Sequence, residues 1–185
     1  MTIARRLALA ATLIPMLASA THARAAVPRE FYGVMAANDP SSAEIARMGA
    51  GKVGTLRINF VWGVVQPNQG GPYDWSHYDA IIGSAAQNGI RVLPTVYSSP
   101  SWAAQRANYP PDKAHMDDFR SFVSAAAARY GANGTFWSTH PTIPKLPVVW
   151  WQLWNESNSP SFWYPRPSAQ QYVNLVRVAR SGLQT

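Results

Sequence analysis

Trp150-Trp151-Gln152-Leu153-Trp154-Asn155-Glu156 decides how the chain is read. An apolar run, entered through Val148 and Val149, ends abruptly in an amide and a carboxylic acid. The run suits a buried strand over 148–154. Side chains alternate along a strand, so Gln152, Trp154 and Glu156 are expected on one face. A carboxyl among tryptophan rings loses solvation, which disfavours its charged form. An acid held in that state can protonate a leaving oxygen. A glutamate opening a helix, or a solvated loop acid, would carry the same letters.

The alternation of apolar run and amphipathic stretch recurs on both sides of this segment. Strands are predicted over 31–35, 55–60 and 90–97. The first is followed by Ser41-x-x-Glu44, a capping box ahead of Ile45 and Met48. Tyr78, Ile81, Ile82, Ala85 and Ala86 keep helical spacing until Gly89. Phe119, Phe122, Val123, Ala126 and Tyr130 form the next stripe, ended by Gly131. After 148–154, Ser168-x-x-Gln171 caps a fourth helix carrying Tyr172, Leu175, Val176 and Ala179.

Strands that alternate with helices imply a parallel sheet. An open doubly wound sheet normally places a glycine-rich phosphate loop after its first strand. Here that position is Ala36-Ala37-Asn38-Asp39-Pro40, without glycine. A closed barrel gathers its chemistry past the C-terminal ends of its strands. Polar and aromatic residues do collect there, at Asn59-Phe60-x-Trp62, at Tyr97-Ser98-Ser99-Pro100-Ser101-Trp102 and at Trp154-Asn155-Glu156. The expected architecture is α/β, a (β/α)8 TIM barrel. Residues 27–185 supply its N-terminal half, four βα units that stop before strand five.

Composition narrows the functions. The 185 residues include no cysteine, which excludes a disulfide scaffold, a thiolate metal site and a cysteine nucleophile. Apolar residues are 47% and charged residues 14%, with 8 Trp, against the low hydrophobicity of disordered chains. Residues 1–26 read as a secretory leader: Arg5-Arg6, an apolar run over 7–17, then the small-x-small sites Ala18-Ser19-Ala20 and Ala23-Arg24-Ala25. That run is shorter than the ~20 residues of a bilayer-spanning helix. The mature chain is therefore expected outside the cell, with no membrane contact after cleavage; a membrane anchor that stays attached is the alternative reading of residues 1–26. Without Arg5, Arg6 and Arg24, 13 basic and 9 acidic side chains remain, a net +4 with no basic run. Nucleic acid is not an expected partner. The four histidines are scattered and lack metal-ligand spacing, and neither G-x-S-x-G nor a P-loop occurs, so no metal or other cofactor is expected.

Arg57 stands inside Thr55-Leu56-Arg57-Ile58-Asn59-Phe60. Both faces of a parallel strand are buried, so this arginine must meet a carboxylate or face a polar cavity. A barrel mouth offers both, and a purely structural salt bridge is the other option. Tyr97, Trp62, Trp102 and Trp154 are candidate substrate-binding residues, flat surfaces for sugar rings; for Trp62, Trp102 and Trp163 the alternative is that they pack loops down. Asp79, like Asp74 and the pair Asp117-Asp118, sits where a helix begins, and dipole and capping roles explain it.

Trp154-Asn155-Glu156, in register with Arg57 on the second strand, resembles the clan A glycoside hydrolases, whose acid/base follows an asparagine at the end of strand four. Gly71-Pro72-Tyr73-Asp74-Trp75-Ser76-His77-Tyr78-Asp79 resembles the start of their second helix. Tyr130-Gly131 and Gly134-Thr135-Phe136-Trp137 look most like family 39 xylosidase-type and related family 5 cellulase-type members. The resemblance runs along the whole mature chain. It implies retaining hydrolysis of O-glycosidic bonds in a polysaccharide or oligosaccharide. It makes Glu156 the general acid/base, Asn155 the partner of the sugar 2-hydroxyl, and Arg57 the arginine beneath the nucleophile. Ser157 and Gln66 depart from the proline and glutamate common in the family. The family's nucleophile is a strand-seven glutamate, to which no residue here corresponds. Turnover by this chain alone is therefore not expected, and the half barrel is expected to self-associate. A non-catalytic sugar-binding half barrel and an inactive truncated product are the alternatives.

Overall fold

The computed structural model describes residues 26–184. The leader expected at 1–26 lies, apart from Ala26, outside the described residues. Four strands form one parallel sheet in sequence order: β1 (Gly33–Met35), β2 (Thr55–Val61), β3 (Arg91–Tyr97) and β4 (Gln152–Leu153). Each crossover carries helix. α1 (Ser42–Ala50) follows β1; α2 (Trp62–Val65) and α3 (Ser76–Gln87) follow β2. α4 (Met116–Tyr130) and α5 (Thr135–Thr139) follow β3, and α6 (Ala169–Leu183) follows β4.

The two-residue period of β2 separates two environments. Leu56, Ile58 and Phe60 are buried against the helices, while Thr55, Arg57, Asn59 and Val61 are only partly covered on the opposite face. The buried side is built on aromatic rings. Phe60 lies 4.2 Å from the Tyr78 ring, stacks on Trp75 and Phe122, and meets Tyr130 and Trp151 edge-on. The helical stripes read from spacing, Ile81, Ile82, Ala85 and Ala86 on α3 and Phe119, Phe122, Val123, Ala126 and Tyr130 on α4, all enter this core.

The expected caps form. Ser41 Oγ accepts from the Glu44 N–H at 3.3 Å, and Glu44 Oε2 accepts from the Ser41 N–H at 2.8 Å. Ser168 Oγ accepts from the Gln171 N–H at the start of α6. Gly89 follows α3 at φ +65°, a left-handed stop that glycine adopts without strain.

Asp79 does more than open a helix. Its carboxylate accepts from Arg129 Nε at 2.8 Å and from Tyr130 OH at 2.7 Å, and it also pairs with Arg129 Nη2. This cluster ties α3 to α4. Burial, and then the hydrogen bond to Asp79, raise the Tyr130 phenol above its ordinary value.

The outer strands are shorter than expected. Residues 29–31 form a 3-10 turn, so β1 begins at Gly33. The expected strand over 148–154 contracts to two residues. Pro144 and Pro147 offer no N–H to a ladder, and the Val148 N–H goes to Tyr130 O at 2.9 Å, at the end of α4. Beyond Leu153 the chain leaves the strand conformation. Apolar side chains stand exposed along both edges, Met35 and Tyr32 at one, Val149 and Trp150 at the other. Among the described residues, no helix is long and apolar enough to cross a membrane.

Candidate active site

Strand register places Met35, Arg57 and Leu93 in one row across β1, β2 and β3. Asn59, Thr95 and Gln152 form the next row toward the C-terminal ends. Arg57 reaches across these rows. Its Nε donates to Gln152 Oε1 at 2.8 Å, its Nη2 donates to Asn155 Oδ1 at 3.0 Å, and its Nη1 lies against Met35 Sδ. Both oxygen acceptors are neutral amides, so the guanidinium charge is held in place without being neutralised. Hydrogen bonds from a charged donor are roughly twice as strong as neutral ones. Among the described residues Arg57 meets no carboxylate, one of the two partners the sequence left open; amide oxygens and the Met35 sulfur take that place.

Glu156 follows immediately after Asn155 and is exposed. Its carboxylate makes no hydrogen bond or ion pair with the described residues, while its carbonyl accepts from the Ser159 N–H at 2.8 Å. The backbone around it is unusual. Trp154 has φ +66°, Glu156 φ +42°, and Ser98, just past β3, φ +64°. Left-handed conformations are uncommon outside glycine and exceptional for a residue as bulky as tryptophan. Each costs on the order of 1–3 kcal/mol and persists only where the surroundings enforce it. Here the Trp154 N–H donates to Val96 O at 2.9 Å, its indole donates to Phe162 O at 3.0 Å, and Ser98 O accepts from the Gly63 N–H. Such strain clusters at functional sites.

The left-handed turn corrects the expectation that Gln152, Trp154 and Glu156 share a face. Trp154 breaks the two-residue alternation, so its ring is 2% exposed and packs near Tyr97, Phe119 and Trp163. Glu156 is correspondingly in water, not among tryptophan rings. Trp62 is corrected too. It lies on α2, fully buried, with its indole donating to Gln66 Oε1 at 2.9 Å and its ring stacked on Phe122. Neither Trp62 nor Trp154 has a free face for a sugar. Trp102 is half-buried, edge-on to Trp62, with its indole directed at Gln66 O. Tyr97 is half-buried at the end of β3. Burial raises its phenol, the Asp39 charge adds to that, and Arg57 opposes it.

Two features were not singled out as site residues from the sequence. Gln152 is the inward-facing amide that fixes Arg57, and its place on a period-2 strand was the available signal. Asp39, after β1, is bonded to His77 Nε2 on α3 at 2.8 Å, a pairing across 38 positions that no local pattern reveals. Among the described residues, no group of three or more His, Asp or Glu side chains could hold a metal ion.

Solved structures share this fold. A family 39 glycoside hydrolase from the gut symbiont Bacteroides cellulosilyticus WH2 superposes with a TM-score of 0.62 at 18% identity, over 85% of this chain and 29% of its own. Pseudomonas stutzeri endoglucanase Cel5A, solved with cellobiose, gives 0.50 at 12% identity, over 78% of this chain and 38% of its own. The fold is the N-terminal half of a TIM barrel. At these identities the likeness is one of fold, and the chain spans well under half the length of either protein. No protein-family model and no curated protein matches the sequence.

Proposed function

We propose that this chain carries the acid/base side of a retaining glycosidase site acting on a polysaccharide or oligosaccharide. The observation that carries the proposal is the Arg57 bridge to Gln152 and Asn155, which locks the residue preceding Glu156 to the barrel interior. Glu156 donates a proton to the leaving glycosidic oxygen as the bond to the anomeric carbon breaks. It then takes a proton from the water that releases the sugar. Asn155, with Oδ1 occupied by Arg57, keeps its amide N–H groups for a sugar hydroxyl. Arg57 keeps its positive charge beneath the site, where it favours an ionised second carboxylate. A retaining mechanism needs that carboxylate about 5–5.5 Å from the first.

The same proposal locates the chain outside the cell, on the strength of its leader. It also gives the open sheet edges at β1 and β4 a partner, a second copy when the chain is alone. To test the function, aryl-glycoside hydrolysis is followed for the chain alone and for a protein that carries it together with a second carboxylate. Turnover by the second and not the first is expected. Turnover by neither removes the proposal and favours a sugar-binding role without catalysis.

A further inference from the structure

A cavity of about 420 Å³ opens between the segment 105–116, which runs from β3 into α4, and the segment 163–165 with the first turns of α6. Arg57, Gln152, Asn155 and Glu156 do not line it. Its base is Trp163, 2% exposed, whose indole donates to Gln171 Oε1 at 2.7 Å. Its wall is the stacked pair Tyr109 and Tyr164, with centroids 5.5 Å apart and planes 20° apart. Tyr164 is 51% exposed, so much of its ring still faces water. The two walls are joined, because Asn108 Nδ2 donates to Ser161 O.

The polar lining includes three side-chain amides, Gln105, Gln171 and Asn174. The side chains of Gln105 and Asn174 make no hydrogen bond with the described residues, and Gln171 uses only its oxygen. A side-chain amide offers two donors and an acceptor in one plane. Ligand sites are typically concave and largely apolar, with a few such groups to fix orientation. A pyranose presents a C–H face that covers an aromatic ring and a rim of hydroxyls that both donate and accept. The only charged liners are Asp112 and Lys113, adjacent and of opposite sign, which favours a neutral ligand.

We propose that this cavity is a second carbohydrate site that takes a neutral pyranose unit of an oligosaccharide. Trp163 and Tyr164 lie on the same segment, 154–165, that carries Glu156. The ligand class rests on the glycoside reading above, but binding here requires no turnover.

The test is titration of the chain with xylohexaose and with cellohexaose, followed by calorimetry and by the side-chain amide NMR signals of Gln105 and Asn174. The expected result is saturable binding of at least one hexaose, with those signals shifting. Tyr164→Ala and, separately, Asn174→Ala on the exposed face of α6 should weaken binding at least tenfold. Glu156→Gln should leave it within twofold, which separates this site from the catalytic proposal. Three results overturn the proposal: no binding of either sugar, binding unchanged in both cavity variants, or tighter binding of an oligogalacturonate than of the neutral hexaoses. Cavity binding intact, with no turnover even when the chain is joined to a second carboxylate, would count against the glycosidase reading alone.

Discussion

Arg57 on β2 donates from Nη2 to Asn155 Oδ1 across 98 positions of sequence, at 3.0 Å. The bond joins the middle of one strand to the loop beyond another, with β3 between them. It fixes the direction of Asn155 and, one residue later, the origin of the Glu156 side chain.

Replacing this arginine tests whether the link serves chemistry or only holds the barrel together. In a protein completed by a second carboxylate, Arg57→Met should lower kcat/KM on aryl glycosides more than tenfold while the folded spectrum persists. Hydrogen bonds involving charged groups contribute about 1.5–3 kcal/mol, which is that range of rate. Loss of folding would make Arg57 structural, and unchanged rate and stability would remove both roles.

The Asp79 cluster is expected to act on stability alone. Its two charged side chains are 20–22% exposed, and the carboxylate also holds Tyr130. Asp79→Asn should destabilise the chain by about 1.5–3 kcal/mol in urea unfolding. The pair Arg120 and Asp117, 45% and 91% exposed, provides the contrast. Asp117→Asn should change stability by no more than about 0.5 kcal/mol.

Alkaline pH should unfold the chain by way of its buried phenols. Burial raises Tyr78 and Tyr130 well above their ordinary value of 10.0, and Tyr73 and Tyr97 less strongly. A raised folded-state pKa means that the native protein keeps a proton which the unfolded chain loses. The stabilisation is complete below pH ~10 and declines as pH rises through the folded-state values. Urea midpoints from pH 8 to 11.5 should therefore fall above pH 10. Tyr78→Phe should show a shallower fall, because its ring loses the titrating proton while keeping its place beside Phe60.

Taken alone, the chain should be inactive on aryl glycosides and should self-associate. Unpaired strand edges template pairing with other chains, and here both edges carry exposed apolar residues. Light scattering on residues 27–185 should give a mass above one chain. A monodisperse monomer would contradict the expectation.

What was legible in the sequence was whatever repeats locally. The period of β2, the stripes of α3 and α4, the Ser41–Glu44 box and the Gly89 stop each follow from residues within a few positions of one another. Arg57 was legible because a charge in a buried strand demands a partner, though which amides answered it was not. Trp62 and Trp154 were misread for a related reason. An aromatic just past a strand looks like a platform, and only the three-dimensional packing against Phe122 or Phe119 shows it closed. The short β4 was hidden because Val148 and Val149 favour a strand. The competing bond from the Val148 N–H to Tyr130 comes from a distant helix end. The left-handed Trp154 and Glu156 had no sequence signal, since neither is glycine or asparagine.

The central claim is that Glu156 is the acid/base, and leaving-group dependence tests it most directly. In the protein completed by a second carboxylate, Glu156→Gln is assayed on a dinitrophenyl glycoside and on the natural alkyl-linked sugar, with and without azide. Proton donation contributes about 10²–10⁴-fold, so the account predicts a loss of that size on the natural linkage. It predicts near-normal release of the activated phenol and recovery of turnover when azide is added. Equal rates for variant and wild type on the natural linkage would contradict it.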